Sequence, residues 1–208
     1  MLLHLDASAR RASVSRELSD IYAANWRTAN PDAGYVYRDL AAQPVPHIRE
    51  AWTELCDYVL ANQITDINRY VEAVHTPEQA EAWDILQPLL DEVVAADVIL
   101  IGTPMYNFSI PSSLKAWLDQ ITFPKMSLRG RRFVVTSARG GAYGPGTPRE
   151  PVDHQERYLR DFFLGHFNVE DVTFINAELI NARIDPNLAH LREKHQESYE
   201  AALKEAAK

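Results

Sequence analysis

Val98-Ile99-Leu100-Ile101, set between Asp97 and Gly102, is apolar without alternation, the mark of a strand covered on both faces. Thr103-Pro104-Met105-Tyr106-Asn107-Phe108 follows at once, and Leu114, Trp117, Leu118 and Ile121 then recur at helical spacing. Pro111 suits the first turn of that helix. The same alternation extends in both directions. Upstream, Leu2 to Leu5 is a short apolar run, Leu18, Ile21, Tyr22 and Trp26 predict a helix, and Tyr35-Val36-Tyr37 predicts a strand beyond the turn residues Asn30 to Gly34. Downstream, Phe133-Val134-Val135-Thr136 is a second buried strand. A helix from Gln155 to Phe167, a strand from Val172 to Ile175 and a closing helix carrying Leu188, Leu191, Tyr199 and Leu203 complete the pattern.

The stretch from Ile48 to Ala96 reads as mostly helical, with Trp52, Leu55, Cys56, Val59 and Leu60 on one face. Thr76-Pro77-Glu78-Gln79 spells a capping box with proline at the first helical position. Pro88 predicts a kink or a new helix start, because proline removes a helical donor. Strand and helix alternate five times, which predicts an α/β fold: a parallel sheet with helices on both faces, as a single domain over residues 1–208. Ligands bind such sheets beyond the carboxyl ends of the strands. Three segments are therefore nominated: Asp6–Ser15, Thr103–Phe108 and Ser137–Gly146.

Composition narrows the chemistry. The chain has 208 residues, with 21 Lys plus Arg against 29 Asp plus Glu, a net charge of −8. Such a surface repels phosphate backbones, so no nucleic-acid partner is expected. Cys56 is the only cysteine, which excludes an intrachain disulfide and suits a reducing cytosol. The start, Met1-Leu2-Leu3-His4-Leu5-Asp6, lacks the basic region and apolar run of a signal peptide. No stretch is long enough for a membrane span, and a cytoplasmic location is expected. No G-x-S-x-G elbow, H-E-x-x-H pair or Cys/His cluster occurs, so neither a serine hydrolase nor a metal site is expected. Cys56 reads as core, and His4 and His166 as packing or surface residues.

Each nominated loop has two readings. Ser8, Ser13, Val14 and Ser15, beside Arg10 and Arg11, open a helix whose free N–H groups and partial positive charge suit a phosphate; the alternative is a capped helix start. Met105, Tyr106, Asn107 and Phe108 would be a liability if merely exposed, a conflict that a flat aromatic ligand resolves. Otherwise they fold inward or meet another subunit. Ser137, Ala138, Arg139, Gly140 and Gly141 begin a loop with four of the eight glycines. That loop permits close backbone approach to a ligand, or is simply a flexible turn. Tyr143 is a candidate hydroxyl on the substrate side, or a loop aromatic packed on a neighbour.

In order and spacing these three loops resemble the FMN-dependent NADH-azoreductases, also called FMN-dependent NADH:quinone oxidoreductases. The most specific stretches are Thr103-Pro104-Met105-Tyr106-Asn107-Phe108-Ser109-Ile110-Pro111 and Leu114-Lys115-Ala116-Trp117-Leu118-Asp119-Gln120-Ile121. The resemblance spans essentially the whole chain. It implies a flavodoxin-like three-layer fold with a five-stranded parallel sheet in the order 2-1-3-4-5. It also implies FMN, with Ser8, Ser13, Val14 and Ser15 at the phosphate, Met105, Tyr106, Asn107 and Phe108 lining the ring, and Ser137, Ala138, Arg139, Gly140 and Gly141 at its pyrimidine side. NADH, with NADPH as an alternative donor, would supply two electrons for quinones and azo compounds in a ping-pong cycle, within a homodimer. A nitro-compound reductase of the same fold and a non-catalytic FMN-binding electron carrier are the alternatives. Three features depart from the family pattern: Ser8 to Ser13 is one residue short, Ala138 is inserted before Arg139, and Phe123–Arg131 is shorter than usual.

Overall fold

In the computed structural model, which describes residues 1–208, five parallel strands form one sheet in the order β2-β1-β3-β4-β5. They are β1 (Leu2–Asp6), β2 (Tyr35–Asp39), β3 (Val98–Pro104), β4 (Arg132–Ala138) and β5 (Val172–Ala177). The helices are α1 (Val14–Ala29), α2 (Glu50–Ala61), α3 (Pro77–Ala95), α4 (Ser112–Ile121), α5 (His154–Phe167) and α6 (Arg192–Ala206).

The unbroken apolar runs serve two cores at once. Leu2, Leu100, Val134 and Ile175 face α1 and α6, packing with Leu18, Ala23, Ala202 and Ala206. Their neighbours Leu3, Leu5, Ile99, Ile101, Phe133 and Val135 face the other way, into a core shared with Leu86, Leu90, Trp117 and Phe163. Alternate residues point to opposite faces of a strand, so covering both faces demands apolar residues at every position.

Several local expectations change. Pro88 does not restart the helix; α3 runs through it. Trp83, Leu86, Leu89, Leu90 and Val93 hold the helix down on both sides of Pro88. Asp84, whose carbonyl loses its partner, is exposed to water. Pro111 is the cap before α4 rather than part of its first turn. Leu60 is exposed, and Leu188 and Leu191 lie in a short 3₁₀ helix (Pro186–Leu191) before α6. The inward residues of α6 are His195, Ala202 and Ala206. Cys56 is buried in the core as expected. The short Phe123–Arg131 segment folds inward, with Phe123 stacked 4.9 Å from Tyr70 and edge-on to Trp52 at 5.6 Å.

The chain leaves β1 toward β2 on one side and leaves β3 toward β4 on the other. Loops departing in opposite directions from adjacent strands open a crevice between them. The loops are shorter than the nominated segments, because Asp6, Thr103, Pro104, Ser137 and Ala138 lie within strands. No helix is long and apolar enough to cross a membrane.

Candidate functional site

The first loop ends at Ser13, whose hydroxyl caps α1 by accepting from the Arg16 N–H and lies 3.2 Å from the Ser15 hydroxyl. The N–H groups of Val14 and Ser15 have no acceptor in the protein, as the first turn of a helix dictates. Ser8 is buried; its hydroxyl accepts from the Arg10 N–H at 3.2 Å, which shapes the turn. Its position suits holding the loop more than meeting a ligand.

Beneath this loop lies a polar cluster that local sequence reading missed. The Arg16 guanidinium donates to the Ser8 carbonyl at 2.8 Å, Asp39 at 2.8 Å, Tyr37 at 3.0 Å and Asp6 at 3.5 Å. Asp6 also accepts from Ser19 at 2.9 Å and Tyr37 at 3.0 Å. The one signal was Asp6 closing an apolar strand beside Gly102, its register partner on β3. Burial alone would raise the Asp39 carboxyl. The Arg16 guanidinium and the N–H groups of Ala42 and Ala41 outweigh it and hold the carboxyl below its usual range. A carboxyl depressed in the folded state stabilises fully above the unfolded-chain value of about 4, and that stability is lost as pH falls through the folded value. Asp39→Asn is therefore expected to be less stable than the wild type at neutral pH, with the gap closing as both are acidified. Urea midpoints across a pH series check this; a gap independent of pH contradicts it.

The second loop is a tight reversal. Tyr106 and Ser109 exchange both backbone hydrogen bonds at 3.0 Å, and the two residues between them are left-handed, Asn107 at φ 49° and Phe108 at φ 69°. Such a turn favours Asn-Gly. Asn107 fits; Phe108 is a bulky side chain where glycine belongs, held there while 45% exposed. Tyr106 is also exposed, and its hydroxyl accepts from the Ala9 N–H at 3.4 Å, tying the second loop to the first. Asn107 is exposed and Met105 half-buried. Removing the left-handed strain makes Phe108→Gly more stable than Phe108→Ala by about 1 kcal/mol, the reverse of the usual order. Thermal unfolding of the two variants checks it, and an alanine variant at least as stable contradicts it.

The third loop is fixed from below. The carbonyls of Arg139, Gly140 and Gly141 accept from the N–H groups of Ile180, Asn181 and Leu179 at 3.0, 3.3 and 3.1 Å. The N–H groups of Gly140 and Gly141 are left without an acceptor in the protein. Arg139 does not offer its side chain to the crevice. Its guanidinium is buried against Asp153 at 2.8 Å, Glu156 at 3.4 Å and Glu178 at 3.6 Å. Glu178 in turn accepts from the Tyr143 N–H at 2.8 Å. A Cβ on Gly140 would stand 2.8 Å from Asn181 Nδ2, and one on Gly141 2.9 Å from Arg149 Nη1. The glycine pair thus makes room for the protein's own side chains, a reason the sequence did not reveal. Ser137 is buried and donates to Gln155 at 2.7 Å, and Ala138 is half-buried at the end of β4. Tyr143 is buried, edge-on to Phe108 at 6.4 Å, and its hydroxyl accepts from Arg149 at 3.4 Å. There the ring braces Phe108 and the hydroxyl is engaged by Arg149.

A cavity of about 310 Å³ lies between the first loop, the segment after β2 and the start of α4, lined by residues that include Ala7, Ala9, Leu40, His47, Tyr106 and Ser112. A groove of about 520 Å³ elsewhere, beside α2 and α3, is lined by Glu50, Glu54, Glu78 and Glu81. That charge is the wrong sign for a phosphate.

Residues 1–203 match a family described as having a flavodoxin-like fold. An FMN-dependent NADH:quinone oxidoreductase of Nocardia farcinica is 62% identical over 202 residues, 97% of this chain and 94% of that protein. Among solved structures, an azoreductase aligns with a TM-score of 0.79 at 22% identity, covering 99% of this chain and 96% of the other. An FMN-dependent NADH-azoreductase from Bacillus anthracis, solved in complex with FMN, aligns with a TM-score of 0.72 at 22% identity, covering 99% of each chain. At that identity the likeness to the two solved structures establishes the fold alone.

Proposed function

This chain belongs to the FMN-dependent NADH:quinone oxidoreductases of flavodoxin-like fold, and from that we propose that it carries two electrons from NADH through FMN to quinones and azo compounds. The observation that supports this most is the convergence, at the carboxyl ends of β1, β3 and β4, of unbonded N–H groups with exposed aromatic rings. Val14 and Ser15 offer free N–H groups beside the Ser13 and Ser15 hydroxyls, a donor set suited to a phosphate. Met105, Tyr106, Asn107 and Phe108 would line the flat ring, with the Asn107 amide free to pair with a polar edge. Gly140 and Gly141 would add their unbonded N–H groups, and the strand-end residues Ser137, Ala138 and Arg139 set where those groups lie. Ser8 would act through the shape of its turn.

Bound FMN would accept electrons from NADH and pass them to the acceptor; the chain's own residues bind it and fix its orientation. The Arg16 cluster holds the first loop in place before any ligand arrives, and the Arg139 cluster does the same for the third. Preformed donors lose less entropy on binding. One crevice serves donor and acceptor in turn, so the reaction is ping-pong. Initial rates with NADH and a quinone both varied should then give parallel double-reciprocal lines; intersecting lines would count against the shared crevice. The working unit is a homodimer in the cytoplasm, so light scattering should give twice the 23.6 kDa chain mass.

A further inference from the structure

Two of the arginines around the crevice are neutralised: Arg16 by Asp6 and Asp39, Arg139 by Asp153, Glu156 and Glu178. Three others, on the first loop or just after the third, are not. Arg10, Arg11 and Arg149 are exposed, and none pairs with a carboxylate. In a chain of net charge −8, the uncompensated arginines on these loops are positive. Arg10 and Arg11 sit on the first loop, beside the donors suited to a phosphate. Arg149 stands apart from them, against the aromatic wall. Its guanidinium carbon lies 6.0 Å from the centre of the Tyr143 ring and Nη1 lies 3.4 Å from the Tyr143 hydroxyl, while Tyr143 packs edge-on to the exposed Phe108.

An aromatic wall that ends in a planar, weakly hydrated cation matches a flat ring carrying a carboxylate or sulfonate, since a guanidinium fork pairs with two oxygens at once. We propose that Arg149 sets the crevice's choice among electron acceptors, favouring planar aromatic anions over neutral rings of the same shape. This rests on the FMN-dependent reading of the site. Of the neighbouring carboxylates, Glu178 is paired with Arg139 and also accepts from the Tyr143 N–H; Glu150 accepts only from the Gly146 N–H and keeps its charge, exposed to water and screened by salt.

The test is calorimetric titration of the FMN-loaded protein with naphthalene-2-sulfonate and with 2-naphthol, neither of which it can reduce. Arg149→Gln should weaken the sulfonate about tenfold at low ionic strength, fading in high salt, and leave 2-naphthol within about twofold. Arg149→Lys should fall between, keeping the charge without the fork. Equal losses for both probes would mean that Arg149 only packs against Tyr143, and no loss for either would mean that the anion does not reach it. Both results overturn the proposal. Flavin absorbance of the same samples separates the two readings. A flavin-loaded protein that ignores charge refutes the role of Arg149, whereas a protein that retains no flavin refutes the function proposed above.

Discussion

Arg139→Met is expected to lower stability by about 3–5 kcal/mol, the range for removing one partner of a buried ion pair. Three carboxylates, Asp153, Glu156 and Glu178, lie within 3.6 Å of the guanidinium. Methionine fills much of the volume and supplies none of the charge, so Asp153 and Glu178 are left without their cation, while Glu156 keeps Arg160 at 2.7 Å. For a chain of this length the loss corresponds to a fall of roughly 10 °C in Tm. The damage reaches the site, because Glu178 anchors the Tyr143 N–H as well as Arg139. FMN affinity should fall about tenfold once that anchor is freed. Adding Glu178→Gln to Arg139→Met should recover part of the stability by removing one stranded charge. Thermal unfolding and FMN titration of both variants test this; a single variant within 1 kcal/mol of the wild type would show that the cluster is already hydrated.

Gly102→Ala is the second large effect. A Cβ at this position would lie 2.1 Å from Asp6 Oδ1 and 2.7 Å from Ser19 Oγ. The partner that must move is a buried carboxylate, and Arg16, Tyr37 and Ser19 all hold it where it is. Overpacking and the broken network together should cost about 3 kcal/mol or more. The mechanism has a second consequence. If the loss comes from the clash with Asp6, Asp6→Ala and Gly102→Ala should be strongly non-additive, the double variant being far more stable than the sum of the singles allows. Additive losses would place the strain elsewhere.

The sheet was legible because its cause is local. Val98 to Ile101 and Phe133 to Val135 must be apolar at every position when both faces are covered, and that pattern shows in a handful of consecutive residues. The three loops were legible for a related reason, since each follows a buried strand. Pro88 starts no new helix because the apolar residues on either side keep α3 continuous, which a local rule cannot weigh. The arginine clusters were hidden for a different reason. Arg16 meets Asp39 across 23 residues of chain, and Arg139 meets Glu178 across another long interval; neither pairing leaves a local mark. The glycine pair was read as room for a ligand, whereas the third dimension puts Asn181 and Arg149 there. Phe108 shows the converse, a residue whose presence in a left-handed turn makes sense only if exposing its ring has a use.

The most direct test of the account is the visible spectrum of the purified protein after mixing with FMN and desalting, followed by NADH under anaerobic conditions. The account predicts that flavin stays with the protein and that its visible absorbance bleaches on adding NADH and returns with a quinone. Flavin that is retained but that NADH leaves coloured would contradict the oxidoreductase reading and make the protein an FMN-binding carrier; loss of the flavin on desalting would contradict the site itself.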